Sequence, residues 1–317
     1  MLRRISLSLL AATAIGVVTC QGASAADMGI PMKAPPIAPP VPLFNWTGLY
    51  AGGFFGMGLS RNQFTGANNV LSPSLAEGIC EGNCSVAGQG GSHNGLGPLG
   101  GFTLGYRFQN AGSPLVWGIE GQFAFADLQG SHSNGASSVT EGFANSVTEG
   151  LTQSHIVHNG LISTKVKDSA TIAGTFGVTS GPQDRTLWFV KGGAAWAKTS
   201  FSSADNISAS VQPQGIGAIT FEGVGINSSS FTSGNSNRWG WMVGTGVEWG
   251  LWGNWSAKIE YDFLDFGSRD VRLSGTEHIS LVNACCNFST PISQTLHVKQ
   301  QIHMLQVGLN YKFDWGH

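Results

Sequence analysis

The chain has 317 residues, of which 46 are glycine, 18 phenylalanine and 10 tryptophan, while Lys, Arg, Asp and Glu together make up only 11%. An ordinary soluble domain carries roughly 25% charge, and a formal net charge of −2 leaves no basic surface for nucleic acid. Hydrophobic residues are 41% of the chain; with glycine, serine and asparagine filling the gaps, they must fall in short, separated segments, which favours β structure.

Residues 1–25 read as an export signal. Arg3 and Arg4 form a basic start, Ile5 to Val18 is an apolar run, and Ala23-Ser24-Ala25 before Ala26 is a small-residue cleavage site. Cys20 suggests a lipoprotein processing site, but Thr19 suits that chemistry poorly as the preceding residue, and ordinary cleavage is the expectation. After the leader no stretch approaches the roughly 20 apolar residues that a membrane-crossing helix needs.

Residues 26–44 hold Pro31, Pro35, Pro36, Pro39, Pro40 and Pro42, a composition that stays extended and reads as a linker. The folded domain is then 45–317. Export places Cys80, Cys84, Cys285 and Cys286 in an oxidising compartment, so they are disulfide candidates ahead of zinc ligands, with connectivity open among three pairings.

From Trp46 onward, segments of two-residue alternation recur, the mark of strands with two unlike faces. Leu49, Ala51, Phe55, Met57 and Leu59 share one parity, with Tyr50 and Phe54 as exceptions. Segments two to four carry Phe102, Leu104, Tyr106 and Phe108; then Trp117, Ile119, Phe123 and Phe125; then Ile172, Phe176 and Val178. The fifth has Trp188, Val190 and Trp196, and the sixth Trp239, Trp241, Val243, Val247 and Trp249. The last two have Trp255, Ile259, Tyr261 and Phe263, and Leu305, Val307, Leu309, Tyr311 and Phe313.

Connections alternate between short and long. Asn110 to Pro114, Gly181 to Arg185 and Gly250 to Asn254 suit tight hairpins; the other connections are loops of about 30 to 40 residues, beyond the usual limit of ~12–15. The predicted fold is an all-β, eight-stranded antiparallel transmembrane barrel with short periplasmic turns and four long extracellular loops.

That the apolar face points outward follows from three features. Aromatic residues gather near segment ends, predicting a girdle of Trp46, Trp117, Trp188, Trp239, Trp249, Trp255 and Tyr311. Short turns at one end and long loops at the other are the asymmetry of outer-membrane barrels. The opposite face carries Arg107, Lys191, Lys258 and Lys312 with Glu120, Glu248, Glu260 and Asp262, a balanced set suited to a paired charge network in a lumen just wide enough for side chains.

The first strand, Phe44-Asn45-Trp46-Thr47-Gly48-Leu49-Tyr50-Ala51-Gly52-Gly53, resembles that of the alphaproteobacterial outer-membrane β-barrel proteins, the porin family or immunogenic outer-membrane proteins. So do Glu260-Tyr261-Asp262-Phe263, Asp265-Phe266-Gly267 and the closing Val307-Gly308-Leu309-Asn310-Tyr311-Lys312-Phe313. The resemblance spans Trp46 to Phe313. It implies insertion into the outer membrane by the barrel-insertion machinery and contact with outer-membrane lipid and lipopolysaccharide. Such barrels usually end on an aromatic residue, whereas Asp314-Trp315-Gly316-His317 follow Phe313 here; OmpA-like relatives often add a peptidoglycan-binding domain, for which no residues remain.

Seven histidines fall in the long connections or at their ends: His93, His132, His155, His158, His278, His297 and His303. His155 and His158 form an H-x-x-H that is a weak metal or haem candidate, and some members of the resembled family are associated with haemin; no metal or other cofactor is expected. Ser138-Val139-Thr140-Glu141-Gly142 is repeated at Ser146-Val147-Thr148-Glu149-Gly150, read as slippage in a tolerant loop. No G-x-S-x-G elbow occurs, so an enzyme is not expected. The expectation is a structural, surface-exposed envelope component, with loops open to host cells, phage or antibodies. A passive pore for small solutes and haem or metal capture by the loops are the alternatives.

Overall fold

The computed structural model describes residues 43–67, 89–144, 151–213, 224–282 and 287–313. The proposed leader, most of the linker, the four cysteines and the tail after Phe313 lie outside the described residues. Eight strands run β1 Gly48–Ala67, β2 Gln89–Gln109, β3 Leu115–Ala144, β4 Leu151–Ser180, β5 Thr186–Pro213, β6 Val224–Gly250, β7 Trp255–Val282 and β8 Asn287–Phe313. Each pairs antiparallel with its sequence neighbours, and β1 closes on β8, with Leu49 opposite Phe313 and Thr65 opposite His297.

The three predicted hairpins lie at one end of the barrel, together with the start of β1 and the end of β8. The turn between β4 and β5 is a single turn of 3-10 helix, Pro182–Asp184. Proline starts it without leaving a donor unpaired. At the β2–β3 and β6–β7 turns, Gly112 and Gly253 take the left-handed conformation that only glycine adopts without strain.

The structure departs from the sequence reading above the apolar band. The spans read as long loops are largely strand: β3 continues to Ala144 and β4 begins at Leu151, while β7 reaches Val282 and β8 begins at Asn287. A membrane crossing takes about 9–11 residues of tilted strand, whereas β3 and β4 are each 30 residues long. The surplus rises beyond the band as a wall of paired strand, most fully from β3 through β5.

The polarity of that wall inverts with its surroundings. On β8, odd positions Leu305 and Leu309 are exposed in the band, whereas above it the even positions Leu296, Val298 and Ile302 are buried. The physical reason is that lipid solvates apolar side chains on the lower outer face, and water, above the band, drives them inward.

The interior is consequently layered. An apolar cap of Phe44, Trp46, Val116, Leu187 and Phe189 lies at the hairpin end, followed by the charged side chains. Next comes an apolar layer that includes Phe54, Leu99, Met242, Leu264 and Met304. A polar layer holding Asn62, His93, Thr164 and Gln300 lies beyond it, then a second apolar layer around Phe64, Phe201, Leu273 and Leu296. Strand β5 alone samples the sequence: Leu187 and Phe189, Lys191, Ala195 and Ala197, Thr199, Phe201, then Ser203 and Asp205, all buried.

Because Phe201 belongs to the layer above the band, Phe201→Ala is expected to remove about 3–5 kcal/mol of stability. Limited proteolysis of the refolded protein checks this: cleavage should rise in the extensions of β4 to β6 while the membrane-embedded halves stay protected.

Candidate functional site

The inward face of the band is built by strand alternation. Every strand except β4 contributes a group to one polar cluster; at the height of Glu120 the inward residue of β4 is the buried Ala173, which has no polar group to offer. Lys191 is its hub: Nζ lies 3.2 Å from Glu120 Oε1 and 3.1 Å from Asp262 Oδ2, and it also contacts Glu260 Oε1. Lys258 bridges the same carboxylates, at 2.8 Å from Glu260 Oε2 and 3.4 Å from Glu120 Oε2.

Nearer the hairpin end, Arg107 Nη2 lies 2.6 Å from Glu248 Oε2. Glu248 Oε1 accepts from Asn310 Nδ2 at 3.0 Å and from the Ser256 hydroxyl. The Tyr50 hydroxyl donates to Glu120 Oε2 at 2.7 Å, and its ring lies 4.2 Å beneath the Arg107 guanidinium carbon. Gln122 donates to Glu120 and Glu260, and Gln306 donates to Glu260 at 2.9 Å and to Asp262 at 2.7 Å. These amides matter because four carboxylates face three cations. Uncharged donors supply further hydrogen bonds to these buried oxygens, although Asp262 Oδ1 is left without one.

Glycine makes room for the cluster at two inward positions. A Cβ at Gly244 would collide with Asp262 Oδ1 and the Lys191 stem, and one at Gly105 would collide with the Tyr50 ring. Both contacts lie in the closed lumen, where no side chain can swing away.

Seven of the eight expected lumen charges are thus brought together: Arg107, Glu120, Lys191, Glu248, Lys258, Glu260 and Asp262. Lys312 is not among them. Its Nζ donates to the Asn45 carbonyl at 2.6 Å, outside the hairpin end, because it lies at the last turn-side position of β8, below the cap. Trp46 is a second correction. It is only 3% exposed, packs in the apolar cap and donates its indole N–H to the Asp184 carbonyl at 2.9 Å; it precedes β1 and folds under the barrel instead of facing lipid.

Trp117, Trp188, Trp249 and Trp255 are exposed around the hairpin end, where Tyr311 packs edge-on against Trp255 at 5.1 Å. Trp239 is 63% exposed at the opposite border of the band, beside Trp241. Sequence reasoning missed Tyr50 and Phe54 as inward residues. Their parity against Leu49 and Phe55 was the available signal.

His155 and His158 fall within β4, opposite Ser210 and Ile207 of β5, and their side chains lie outside the described residues. His93 faces inward, with Nε2 2.6 Å from Thr164 Oγ1, and His297 faces outward against Asp270. Among the described residues no group of three or more His, Cys, Asp or Glu could hold a metal ion, and no helix is long and apolar enough to cross a membrane.

Residues 44–313 match the family described as the outer membrane protein beta-barrel domain. The chain belongs to that family. This barrel therefore resides in the outer membrane, with its hairpin end toward the periplasm. Relatives include the 31 kDa outer-membrane immunogenic proteins of Brucella melitensis biotype 1 and Brucella suis biovar 1, each 27% identical over 301 residues, covering 94% of this chain and 97% of the relative. Among solved structures, the outer membrane protein OprG from Pseudomonas aeruginosa is 11% identical with a TM-score of 0.38, covering 84% of this chain and 97% of that one. Ail, the attachment invasion locus protein of Yersinia pestis, is 13% identical with a TM-score of 0.29, covering 84% and 99%.

Lys191→Met leaves Glu120, Glu260 and Asp262 short of a cation and is expected to cost about 3–5 kcal/mol. Lys312→Met, at the open end, should change stability by no more than about 1 kcal/mol. Urea unfolding of detergent-refolded protein, followed by tryptophan fluorescence, separates the two.

Proposed function

We propose that this outer-membrane barrel is a sealed, non-catalytic component of the envelope, with a structural role in the membrane and a surface role in its extracellular extension. The observation that carries this reading is the layered interior. The ion cluster is stacked between an apolar cap on one side and the layer of Phe54, Leu99, Leu264 and Met304 on the other. A passive pore needs a continuous polar path, and an eight-stranded barrel has a lumen only wide enough for side chains. The extension, polar outside and apolar inside, supports the surface role: its wall stands in water and carries its own core.

Planar-bilayer conductance on refolded protein tests the proposal, once unboiled and boiled gel mobilities establish that the barrel has closed. A closed barrel is expected to give no discrete conductance steps at any holding voltage that the bilayer survives. Reproducible single-channel steps would overturn the sealed reading and put solute passage in its place.

A further inference from the structure

Among the described residues, two large apolar side chains stay exposed in the wall above the band: Leu161 on β4 and Phe231 on β6, the latter 59% exposed. Scattered singly they would need no explanation, but they are not scattered. Ala204 of β5 pairs with Leu161 on one side and with Phe231 on the other, so the three form one outward row across adjacent strands. Phe231 lies eight residues beyond Trp239 on β6, which at ~3.4 Å per residue and a tilt near 40° is about 20 Å above the border of the band. Lipid headgroups reach only about 5–8 Å beyond the hydrocarbon, so this row stands in water.

The rows on either side of it are polar and uncharged. Ser163, Ser202 and Ser233 stand in register below, and Asn159, Asn206 and Ser229 above. The serine row lines a hollow of about 710 Å³ across β3 to β6, where Ser131 continues it beside Ser163. The hydroxyls of these four serines form no hydrogen bond with a described residue. Of the two lysines lower in this hollow, Lys165 is held by Asp127 at 2.7 Å and Lys167 stands at the edge nearest the band. Asn206 and Ser229 open a second hollow, of about 470 Å³ across β5 to β8, which no Lys, Arg, Asp or Glu lines.

We propose that this face of β4 to β6 binds a neutral oligosaccharide, with one pyranose ring seated on Phe231 and Leu161 and the hydroxyls of its neighbours taken by the serine row. A pyranose has an apolar face of C–H groups that suits the electron-rich face of an aromatic ring, and a rim of hydroxyls that both donate and accept. Serine hydroxyls and asparagine amides also do both, whereas Lys and Arg only donate and carboxylates only accept. Adjacent strands set the serines ~4.8 Å apart, about the advance of one sugar along an extended chain. A protein partner would need an apolar centre wider than one row. The inference deepens, and rests on, the surface role proposed for the extension.

The test uses the full chain refolded in an amine-oxide detergent, so that no sugar headgroup competes, with closure checked by gel mobility. Saturation-transfer NMR follows titration with maltohexaose, cellohexaose and laminarihexaose, standing for microbial and plant glucans, and with an N-acetyllactosamine hexasaccharide, standing for an animal cell surface; the one that binds names the source. At least one is expected to bind with a Kd below about 1 mM. F231A, at an outward position that the fold does not need, should weaken that binding about tenfold, and F231W should keep it. S163V/S202V/S233V should weaken it as well, and salt should have little effect.

No binding of any of the four up to several millimolar, or equal binding by wild type and F231A, would overturn the site. Tighter binding of a galacturonate hexamer, lost as salt is raised, would overturn the assignment to neutral sugar. Self-association of the barrel without sugar, abolished by F231A, would assign the row to protein contact instead. These outcomes are independent of conductance: a silent, closed barrel that ignores every sugar retains the sealed reading and loses only this site.

Discussion

An eight-stranded barrel leaves no room inside for bulk water, so every inward side chain must find its partner among other inward side chains. That constraint explains the ion cluster better than any function does. Lys191 touches three carboxylates and Lys258 two because no solvent is there to take the place of a missing partner. It also explains the glycines: Gly244 exists so that Asp262 and Lys191 have space. The cluster ties β1, β2, β3 and β5 to β6, β7 and β8 across the lumen, which backbone pairing between adjacent strands alone does not do.

The same constraint continues above the membrane, where the outside medium changes and the inside does not. Within the band both surfaces of a strand are set by scarcity of water, with lipid outside and paired charges inside. Above it, the outer surface is free to be serine, threonine and asparagine, and the lumen takes Phe201, Leu273 and Leu296. Strand β7 manages the change with a bulge at Gly267, which breaks its register against β8 between Asp265 and Ser268. Before it the inward residues are Leu264 and Phe266, and after it Val271 and Leu273, so inward parity switches from even to odd. A bulge is the means by which one strand re-aims a whole run of side chains.

Alternation made the membrane half legible. Trp117, Ile119 and Phe125 against Glu120 and Gln122 is a two-faced pattern that no helix produces, and the short turns located the periplasmic end. Seven of the expected lumen charges could be read by parity alone. The extension was hidden for a physical reason. In β4 the inward Ile162, Thr164 and Val166 are separated by Ser163 and Lys165, and a serine-rich wall carries too little apolar contrast to distinguish a long strand from a loop. Trp46 and Lys312 were misplaced because parity says which face a residue occupies but not whether the strand has already ended there. Trp46 lies before β1 begins and Lys312 at the rim, where inward and outward lose their meaning.

The length of the strands sets a height. About 20 residues of β4 precede its first outward apolar residue of the band, Ile172. At ~3.4 Å per residue and a tilt near 40°, the upper end of that strand stands about 50 Å above the hydrocarbon. A wall whose backbone is hydrogen-bonded along this distance does not bend as a loop would. It holds its far end at a fixed altitude over the bilayer, so that a large molecule approaching the cell meets polypeptide while the lipid is still several nanometres away.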